Sequence, residues 1–183
     1  MGEGLELWLV RHGETTASVG RRLAGWSDPP LTERGLRQAA DLRAALDGQR
    51  FDGVWSSDLG RAVASARAAW GEPRVDERLR EINFGELEGL SYAEVAAASP
   101  AAFATFRDFA NPAGESHGGF RERIHGFVAG LERGRHLLFV HGGVIRVLTQ
   151  DLGLDRFVPT GSLVGVDWVK QQLLFVREPR PAE

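Results

Sequence analysis

The sequence has no cysteine among its 183 residues, so disulfide bonds, thiolate nucleophiles and cysteine-bound metals are excluded. It also has no apolar run that approaches the length of a membrane-spanning helix. The N-terminus lacks a basic region followed by an apolar stretch and a small-residue cleavage site. These absences lead us to expect a cytoplasmic enzyme or binding protein with no membrane partner.

A strong excess of either charge is also missing. Lysine and arginine together number 22 against 25 aspartates and glutamates, which gives a formal net charge of −3 at pH 7. Such a chain has no general affinity for nucleic acid or other polyanions. Its length suffices for one full hydrophobic core and is too short for two independent domains, so we expect a single domain over residues 1–183.

Short apolar runs alternate with segments of helical periodicity along the chain. Strands are predicted at residues 5–10, 51–55, 136–140, 162–169 and 173–177, the last two as a hairpin. Helices are predicted at residues 31–46, with Thr32 as N-cap, and at 59–70, 92–109, 120–131 and 144–152. This alternation indicates an α/β fold with a largely parallel sheet.

Polar triplets begin where three of the predicted strands end. They are Arg-His-Gly at 11–13, Ser-Ser-Asp at 56–58 and His-Gly-Gly at 141–143. In open α/β sheets, ligands bind beyond the carboxyl ends of the strands. We therefore expect the three triplets to meet in one site.

His12 stands at the end of the first predicted strand, where one ring nitrogen is able to act as a nucleophile. The adjacent charge of Arg11 would lower the pKa of His12 and keep the ring neutral at physiological pH. Gly13 would let backbone N–H groups approach a bound anion closely. Judged on the triplet alone, a histidine bonded to a backbone carbonyl for structural reasons is an equally good interpretation.

Arg61 falls in the first turn of the helix predicted over 59–70, for which Asp58 is the expected N-cap. A cation at this end of a helix is unfavourable against the helix dipole. An anion bound between Arg61 and Arg11 would compensate for that position. The alternative is that Arg61 is a solvated surface residue.

The segment 79–89 carries three carboxylates, Glu81, Glu86 and Glu88, among glycines and apolar residues, and we predict little regular structure for it. Apolar surroundings would raise the pKa of one of these carboxyls, which would then act as a general acid near neutral pH. Carboxylates in such runs usually decorate a solvated surface, and that alternative stays open.

His141 ends the third strand, and Gly142 and Gly143 open the next helix with N–H groups that face the same cleft. Arg146 follows about one turn later, where it could reach the site, although we expect a surface or packing role. Two histidines, two arginines and a carboxylate suit either a metal or an oxyanion. Because the guanidinium groups would repel a divalent cation and attract phosphate, we predict a phosphate pocket without a metal.

Six segments resemble, in their order and spacing, the histidine phosphatase superfamily, also called the phosphoglycerate mutase-like family. They are LVRHGET (9–15), GWSDPPLTERGLRQA (25–39), SSDLGRA (56–62), LREINFGELEG (79–89), GES (114–116) and VHGG (140–143). Within the family, the chain is similar to small phosphatases of the α-ribazole phosphatase type and to broad-specificity phosphomonoesterases. The resemblance implies a three-layer α/β/α sandwich with a mostly parallel central sheet.

The resemblance also implies a mechanism that needs neither a metal nor a cofactor. His12 would attack phosphorus and become a phosphohistidine, and Glu81 would protonate the leaving oxygen and later accept a proton from water. The remaining site residues would hold the phosphoryl oxygens or the substrate: Arg11, Arg61, His141, Gly142, Ser18 and Gly25.

Two positions depart from the family pattern. Ser18 stands where many relatives have an asparagine that contacts phosphate, and Ala24 stands where glutamine is common. A serine is still able to donate a hydrogen bond, whereas an alanine side chain is not. Both departures bear on the substrate more than on the reaction type.

We predict hydrolysis of a small phosphorylated metabolite, with α-ribazole phosphate as a candidate. Relatives with mutase activity carry a longer insert with lysine and paired arginines, whereas here Arg107 is the only fixed cation between Glu81 and Phe120. Aromatic residues of that stretch that face the cleft would suit an apolar or aromatic leaving group. The alternatives are a cofactor-dependent phosphoglycerate mutase and a phosphate-binding interaction protein without turnover.

Residues 90–117 are predicted to form a lid-like segment that selects the leaving group. The apolar C-terminal strands offer a sheet edge that could pair with a second copy, so a homodimer is the assembly we consider. No nucleic-acid partner is expected.

Overall fold

The computed structural model describes residues 4–98, 100 and 113–179. Their strands are β1 (Leu5–Arg11), β2 (Gly53–Ser56), β3 (Arg74–Val75), β4 (Gly134–Val140), β5 (Leu163–Asp167) and β6 (Gln172–Arg177). They form one sheet in the order β3-β2-β4-β1-β5-β6. Neighbouring strands from β3 to β1 are parallel, whereas β5 pairs antiparallel with β1 and with β6. The predicted, mostly parallel sheet is therefore confirmed.

Helices connect these strands. They are α1 (Thr16–Val19), α2 (Glu33–Asp41), α3 (Arg43–Leu46), α4 (Gly60–Ala69), α5 (Tyr92–Ala98), α6 (His117–Ala129) and α7 (Gly142–Thr149). Among the described residues, no helix is long and apolar enough to span a membrane. The helix predicted over 92–109 is observed as α5, and residues 99 and 101–112 lie outside the described part of the chain.

The prediction of one helix over residues 31–46 is wrong. Thr32 caps α2 as expected, because its hydroxyl accepts the N–H of Gly35 at 3.0 Å. The chain then breaks at Leu42, which ends α2 and begins α3. Two elements were not predicted at all, α1 and the two-residue strand β3, because both are too short to carry a periodic pattern.

Helices cover both faces of the sheet, and β1 shows why its sequence is apolar throughout. Leu5, Leu7 and Leu9 point to the face that α6 and α7 cover. Trp8 and Val10 point to the opposite face, where Leu42 and residues of α3 and α4 pack around them. A strand buried on both sides needs apolar residues at every position, not at alternate ones. This arrangement confirms the α/β/α sandwich.

The sheet order brings the carboxyl ends of β2, β4 and β1 together. Arg11 pairs with Val140, and Ser56 pairs with Phe139, so the three strands stop at nearly the same level. The residues that follow them, among them His12 and His141, consequently emerge at one edge of the sheet.

Two glycines far from that edge give a paired test of backbone conformation. A Cβ added to Gly126, inside α6, or to Gly48, in the turn after α3, would contact nothing within 4 Å, but φ at Gly48 is 71°. We expect Gly126→Ala to raise the free energy of unfolding by about 0.5–1 kcal/mol because helix formation then costs less entropy. Gly48→Ala should lower it by about 1–2 kcal/mol because an L-residue is strained there. Urea denaturation measures both; changes of the same sign would contradict this reasoning.

Candidate active site

His12 is held rigidly at the end of β1. Its backbone N–H donates to the carbonyl of Val140 at 3.0 Å, which extends the β1–β4 ladder by one residue. Its ring Nδ1 lies 2.8 Å from the carbonyl oxygen of Gly13. A carbonyl only accepts hydrogen bonds, so Nδ1 carries the proton in this contact and Nε2 keeps its lone pair. The ring is thus fixed in the tautomer that a nucleophile acting through Nε2 requires.

Gly13 is required by close packing against Gly35. A Cβ on Gly13 would lie 2.1 Å from the carbonyl oxygen of Gly35, and a Cβ on Gly35 would lie 2.0 Å from that of Glu14. The N–H of Gly13 donates to the hydroxyl of Ser65 at 3.0 Å. The N–H of Gly13 is therefore not free to approach an anion, contrary to the expectation from the sequence. Glycine is needed at this position because the two backbones pass at a distance that a side chain would prevent.

The charge state of both strand-end histidines follows from their surroundings. Burial lowers the pKa of His12 well below its ordinary value, and the charges of Arg61 and Arg11 lower it further. Burial likewise lowers the pKa of His141, again with help from Arg61. Both rings are therefore neutral at physiological pH. As predicted, the charge of Arg11 lowers the pKa of His12, although burial and the charge of Arg61 lower it more.

Arg61 is buried and Arg11 half-buried, and each guanidinium group has a donor that is not used. A terminal nitrogen of Arg11 donates to the carbonyl of Val158 at 2.6 Å. The terminal nitrogens of Arg61 donate to the carbonyls of Ser27 and Gly25, both at 2.7 Å. Within the described residues, Nε of each arginine is buried and has no hydrogen-bond partner. Unpaired buried donors are costly, so this pair is prepared for an anion.

The N-cap expected for α4 is wrong. Asp58 instead forms a two-pronged ion pair with Arg80, whose Nε donates to it at 2.8 Å. The N-terminus of α4 is capped from elsewhere in the sequence by Asp28, which accepts the N–H of Gly60 at 2.5 Å and also contacts Arg61. Asp28 thereby compensates part of the charge that Arg61 places against the helix dipole.

Glu81 is the carboxylate of its segment that lies in the site. Its two oxygens accept the N–H groups of Ile82 and Gly143, each at 2.9 Å. Burial raises the pKa of Glu81, against the opposing effect of these two hydrogen bonds. A Cβ on Gly143 would lie 2.2 Å from a Glu81 oxygen, so the second glycine of the pair makes room for this carboxylate.

The other two carboxylates of the segment, Glu88 and Glu86, have different roles. Glu88 accepts the N–H groups of Trp26 and Ser27 at 2.8 and 2.7 Å and so fixes the loop that carries Gly25. Glu86 is exposed, as a solvated surface residue would be. The preference for Glu81 over Glu86 as the acid thus agrees with where the structure places them.

His141 lies beside His12 and is fully buried. The two ring centroids are 5.2 Å apart, with the rings steeply inclined. Neither ring nitrogen of His141 has a hydrogen-bond partner among the described residues. Gly142 follows it at the start of α7, and a Cβ there would lie 3.2 Å from the guanidinium carbon of Arg11. The glycine therefore lets Arg11 pass close to the helix.

A cavity of about 520 Å³ opens in front of these groups. Arg11, His12, Arg61 and Glu81 line one part of it, and the fully buried His141 lies beside His12. The rest of the wall includes apolar or aromatic residues, Ala17, Leu23, Ala24, Phe84, Tyr92 and Phe157, and charged ones, Arg22, Arg146, Asp155 and Arg156. Of the aromatic residues between Glu81 and Phe120, Phe84 and Tyr92 line the cavity, whereas 103, 106 and 109 lie outside the described residues.

Several residues of the cavity wall were not among the predicted site residues, Arg146 and Phe157 among them. Arg146 was expected on the surface or in packing, yet it lines the cavity, with Nε 2.7 Å from Asp155 and its guanidinium 5.1 Å from the ring centroid of Phe157. Phe157 was not considered. For Arg146 a signal existed, because it follows Gly142 by four residues and so shares a helix face with it. Nothing local marks Phe157.

The positions that depart from the family pattern also lie at the cavity. Ser18 and Ala24 both line it, as does Gly25. The hydroxyl of Ser18 donates to the carbonyl of Thr15 at 2.9 Å and accepts its N–H at 2.7 Å, which caps α1. A hydrogen bond from Ser18 to phosphate therefore stays a prediction, and it would require exchange of the bond to Thr15.

The mixed sheet, with histidines following two central strands, defines the phosphoglycerate mutase-like fold. Residues 7–168 match the histidine phosphatase superfamily (branch 1), and the chain belongs to that superfamily. It is 33% identical over 186 residues to a glucosyl-3-phosphoglycerate phosphatase of Mycolicibacterium vanbaalenii, covering 90% of this chain and 82% of that protein. It is also 33% identical over 156 residues to an adenosylcobalamin/α-ribazole phosphatase of Escherichia coli, covering 79% and 77%.

A solved structure of the same fold carries a different activity in its name. The phosphoglycerate mutase from Thermus thermophilus superposes with a TM-score of 0.88 at 43% identity, over 96% of this chain and 99% of that one. The superfamily membership and the phosphatase relatives support a phosphatase enzyme. The reaction and its substrate have to be argued from the site.

Proposed function

We propose that the protein hydrolyses phosphomonoesters through a phosphohistidine intermediate on His12. The observation that carries the proposal is a set of buried nitrogens without hydrogen-bond partners near a histidine whose Nε2 is free to attack. Nε of Arg11, Nε of Arg61 and both ring nitrogens of His141 have no partner within the described residues. Groups arranged in this way suit a phosphoryl group, whose oxygens accept hydrogen bonds and carry negative charge.

In the first step, the lone pair of His12 Nε2 forms a bond to phosphorus as the bond from phosphorus to the ester oxygen breaks. The electron pair of that bond stays with the leaving oxygen, which takes the proton of Glu81 and departs as an alcohol. The raised pKa of Glu81 favours the protonated carboxyl that this step needs. The lowered pKa of His12 keeps its ring neutral until the attack.

The cations lower the barrier by stabilising charge. In a phosphoryl transfer, negative charge is spread over three equatorial oxygens in the transition state. Arg11, Arg61 and an N–H of His141 would bind those oxygens. Because the two arginines are already held by Val158, Gly25 and Ser27, little reorganisation is required when the charge develops.

The second step releases phosphate. The carboxylate of Glu81 accepts a proton from a water molecule, whose oxygen forms a new bond to phosphorus. The bond from phosphorus to Nε2 breaks, and its electron pair returns to His12. Inorganic phosphate leaves, Glu81 is protonated again, and the enzyme is ready for another cycle.

The cavity wall beyond the phosphate end favours an apolar or aromatic leaving group. Leu23, Phe84, Tyr92 and Phe157 offer rings and methyl groups there, as in many pockets that bind flat organic ligands. We propose a small phosphorylated metabolite as the substrate. A relative named as an α-ribazole phosphatase makes α-ribazole phosphate, which carries an aromatic base, the first compound to test.

Hydrolysis and mutase activity are separated by one experiment. The protein is incubated with p-nitrophenyl phosphate, α-ribazole phosphate and 3-phosphoglycerate, and free phosphate and phosphoglycerate isomers are followed. We expect phosphate release from p-nitrophenyl phosphate and α-ribazole phosphate and little isomer formation. Efficient isomerisation with little free phosphate would instead support a mutase, the activity named for the Thermus structure. Absence of both would favour a binding protein.

A further inference from the structure

Glu81 extends into the site from a segment that the sheet and helices do not hold. It lies between two short 3₁₀ turns, Glu77–Leu79 and Gly85–Leu87. A general acid must nevertheless be placed accurately, because a displacement of about 1 Å is enough to cost roughly 10²-fold in rate. The backbone around Glu81 therefore needs another source of rigidity.

Arg123, on α6, supplies hydrogen bonds to three carbonyls of this segment. One terminal nitrogen donates to the carbonyl of Arg78 at 2.7 Å and to that of Arg80 at 3.0 Å. The other donates to the carbonyl of Glu81 itself at 3.2 Å. The planar guanidinium fixes all three directions at once, which a single ammonium group cannot do.

Glu115 completes the contact from the other side. It binds Nε and a terminal nitrogen of Arg123 at 2.8 and 2.7 Å, so all five donors of that guanidinium are used. Its own N–H donates to the carbonyl of Asn83 at 2.9 Å. Both side chains are only 18% exposed, which strengthens such a charge-assisted pair. The pair thus contacts the backbone on both sides of Glu81.

We propose that Arg123 and Glu115 are positioning residues that hold Glu81 in place to protonate the leaving group. Neither lines the cavity, so they act through Glu81 and not on the substrate. This inference rests on the proposed function, in which Glu81 is the acid. A positioning role differs from that of a purely stabilising ion pair in one respect. Displacement of Glu81 should slow hydrolysis only when the leaving group needs a proton.

The test compares two aromatic substrates that differ in this need. The alcohol of 2-phenylethyl phosphate leaves only when protonated, whereas p-nitrophenolate leaves unaided. We expect Arg123→Lys to lower kcat/KM for 2-phenylethyl phosphate by about 10- to 100-fold and to change that for p-nitrophenyl phosphate by less than about threefold. Glu115→Gln, which keeps the shape and removes the charge, should act in the same direction. Arg121→Lys is the matched control, because Arg121 lies on the same helix and pairs with Asp151 instead.

Glu81→Gln is measured beside these variants to separate the two proposals. A selective loss in Glu81→Gln but not in Arg123→Lys or Glu115→Gln would overturn the positioning role alone. No selective loss in Glu81→Gln would overturn the role of Glu81 and the inference with it. Equal losses on both substrates would make the pair merely stabilising. If Arg123→Lys does not fold, Glu115→Gln decides by the same comparison.

Discussion

Replacing His12 by alanine is expected to lower kcat for p-nitrophenyl phosphate by about 10⁴-fold or more, because the nucleophile is removed. His141 is no substitute as nucleophile, since its ring is fully buried and the proposal assigns its N–H to a phosphoryl oxygen. The oxygens of a bound phosphate would still find Arg11 and Arg61. The variant should therefore bind inorganic phosphate while failing to turn over esters.

The same variant decides whether a phosphoenzyme forms. Wild-type protein mixed briefly with a radiolabelled phosphate ester and quenched in alkali should retain the label, which acid then removes, as expected for phosphohistidine. His12→Ala should retain none. His125→Ala is the control, because His125 lies on α6 against Trp168 and outside the cavity wall. Labelling that persists in His12→Ala, or undiminished turnover, would contradict the mechanism.

The convergence of the strand-end residues could be predicted because it depends on local signals. Apolar runs that stop abruptly at 11–13 and 141–143 identify strands buried on both faces, and parallel strands align their ends. The structure brings His12 and His141 to ring centroids 5.2 Å apart on this basis. The prediction of Glu81 needed more than local signals, since three carboxylates share its segment. The family pattern selected it, and burial among Ile82 and Gly143 is consistent with that choice.

Contacts between residues distant in sequence could not be predicted in the same way. Asp58 is adjacent to α4, so it is the natural candidate for its N-cap, but it pairs with Arg80 instead. The cap comes from Asp28, 32 residues before Gly60. Neither the segment around Asp28 nor the one around Gly60 carries a sequence feature that predicts this contact. The break at Leu42 could not be predicted either, because residues 31–46 carry one helical periodicity without a glycine or proline at that point.

Opposite pKa shifts in one cavity are what the proposed reaction needs. Burial disfavours charge on every group, so it lowers the pKa of His12 and raises that of Glu81. Arg61 also lowers the pKa of His12, yet its effect on Glu81 opposes the rise. Burial is therefore the cause that shifts the nucleophile toward its neutral form and the acid toward its protonated form.

Glu81→Gln is expected to lower kcat/KM for 2-phenylethyl phosphate by roughly 10²- to 10⁴-fold, the usual contribution of a general acid. With p-nitrophenyl phosphate the first step needs no proton, so the phosphoenzyme should still form. Its hydrolysis needs Glu81 as a base. Rapid mixing should consequently show a burst of about one p-nitrophenolate per active site, followed by slow turnover. Glu86→Gln, in the same segment but exposed, is the control and should behave as wild type.

The pH dependence of kcat/KM tests the role of Glu81 as the general acid independently. Activity requires unprotonated His12, so it falls as pH drops through the lowered pKa of that ring. It also requires protonated Glu81, so for 2-phenylethyl phosphate kcat/KM falls as pH rises through the raised pKa of that carboxyl. In Glu81→Gln this alkaline limb should disappear, because glutamine does not titrate. A limb that survives in Glu81→Gln would belong to another group and would exclude Glu81 as the acid.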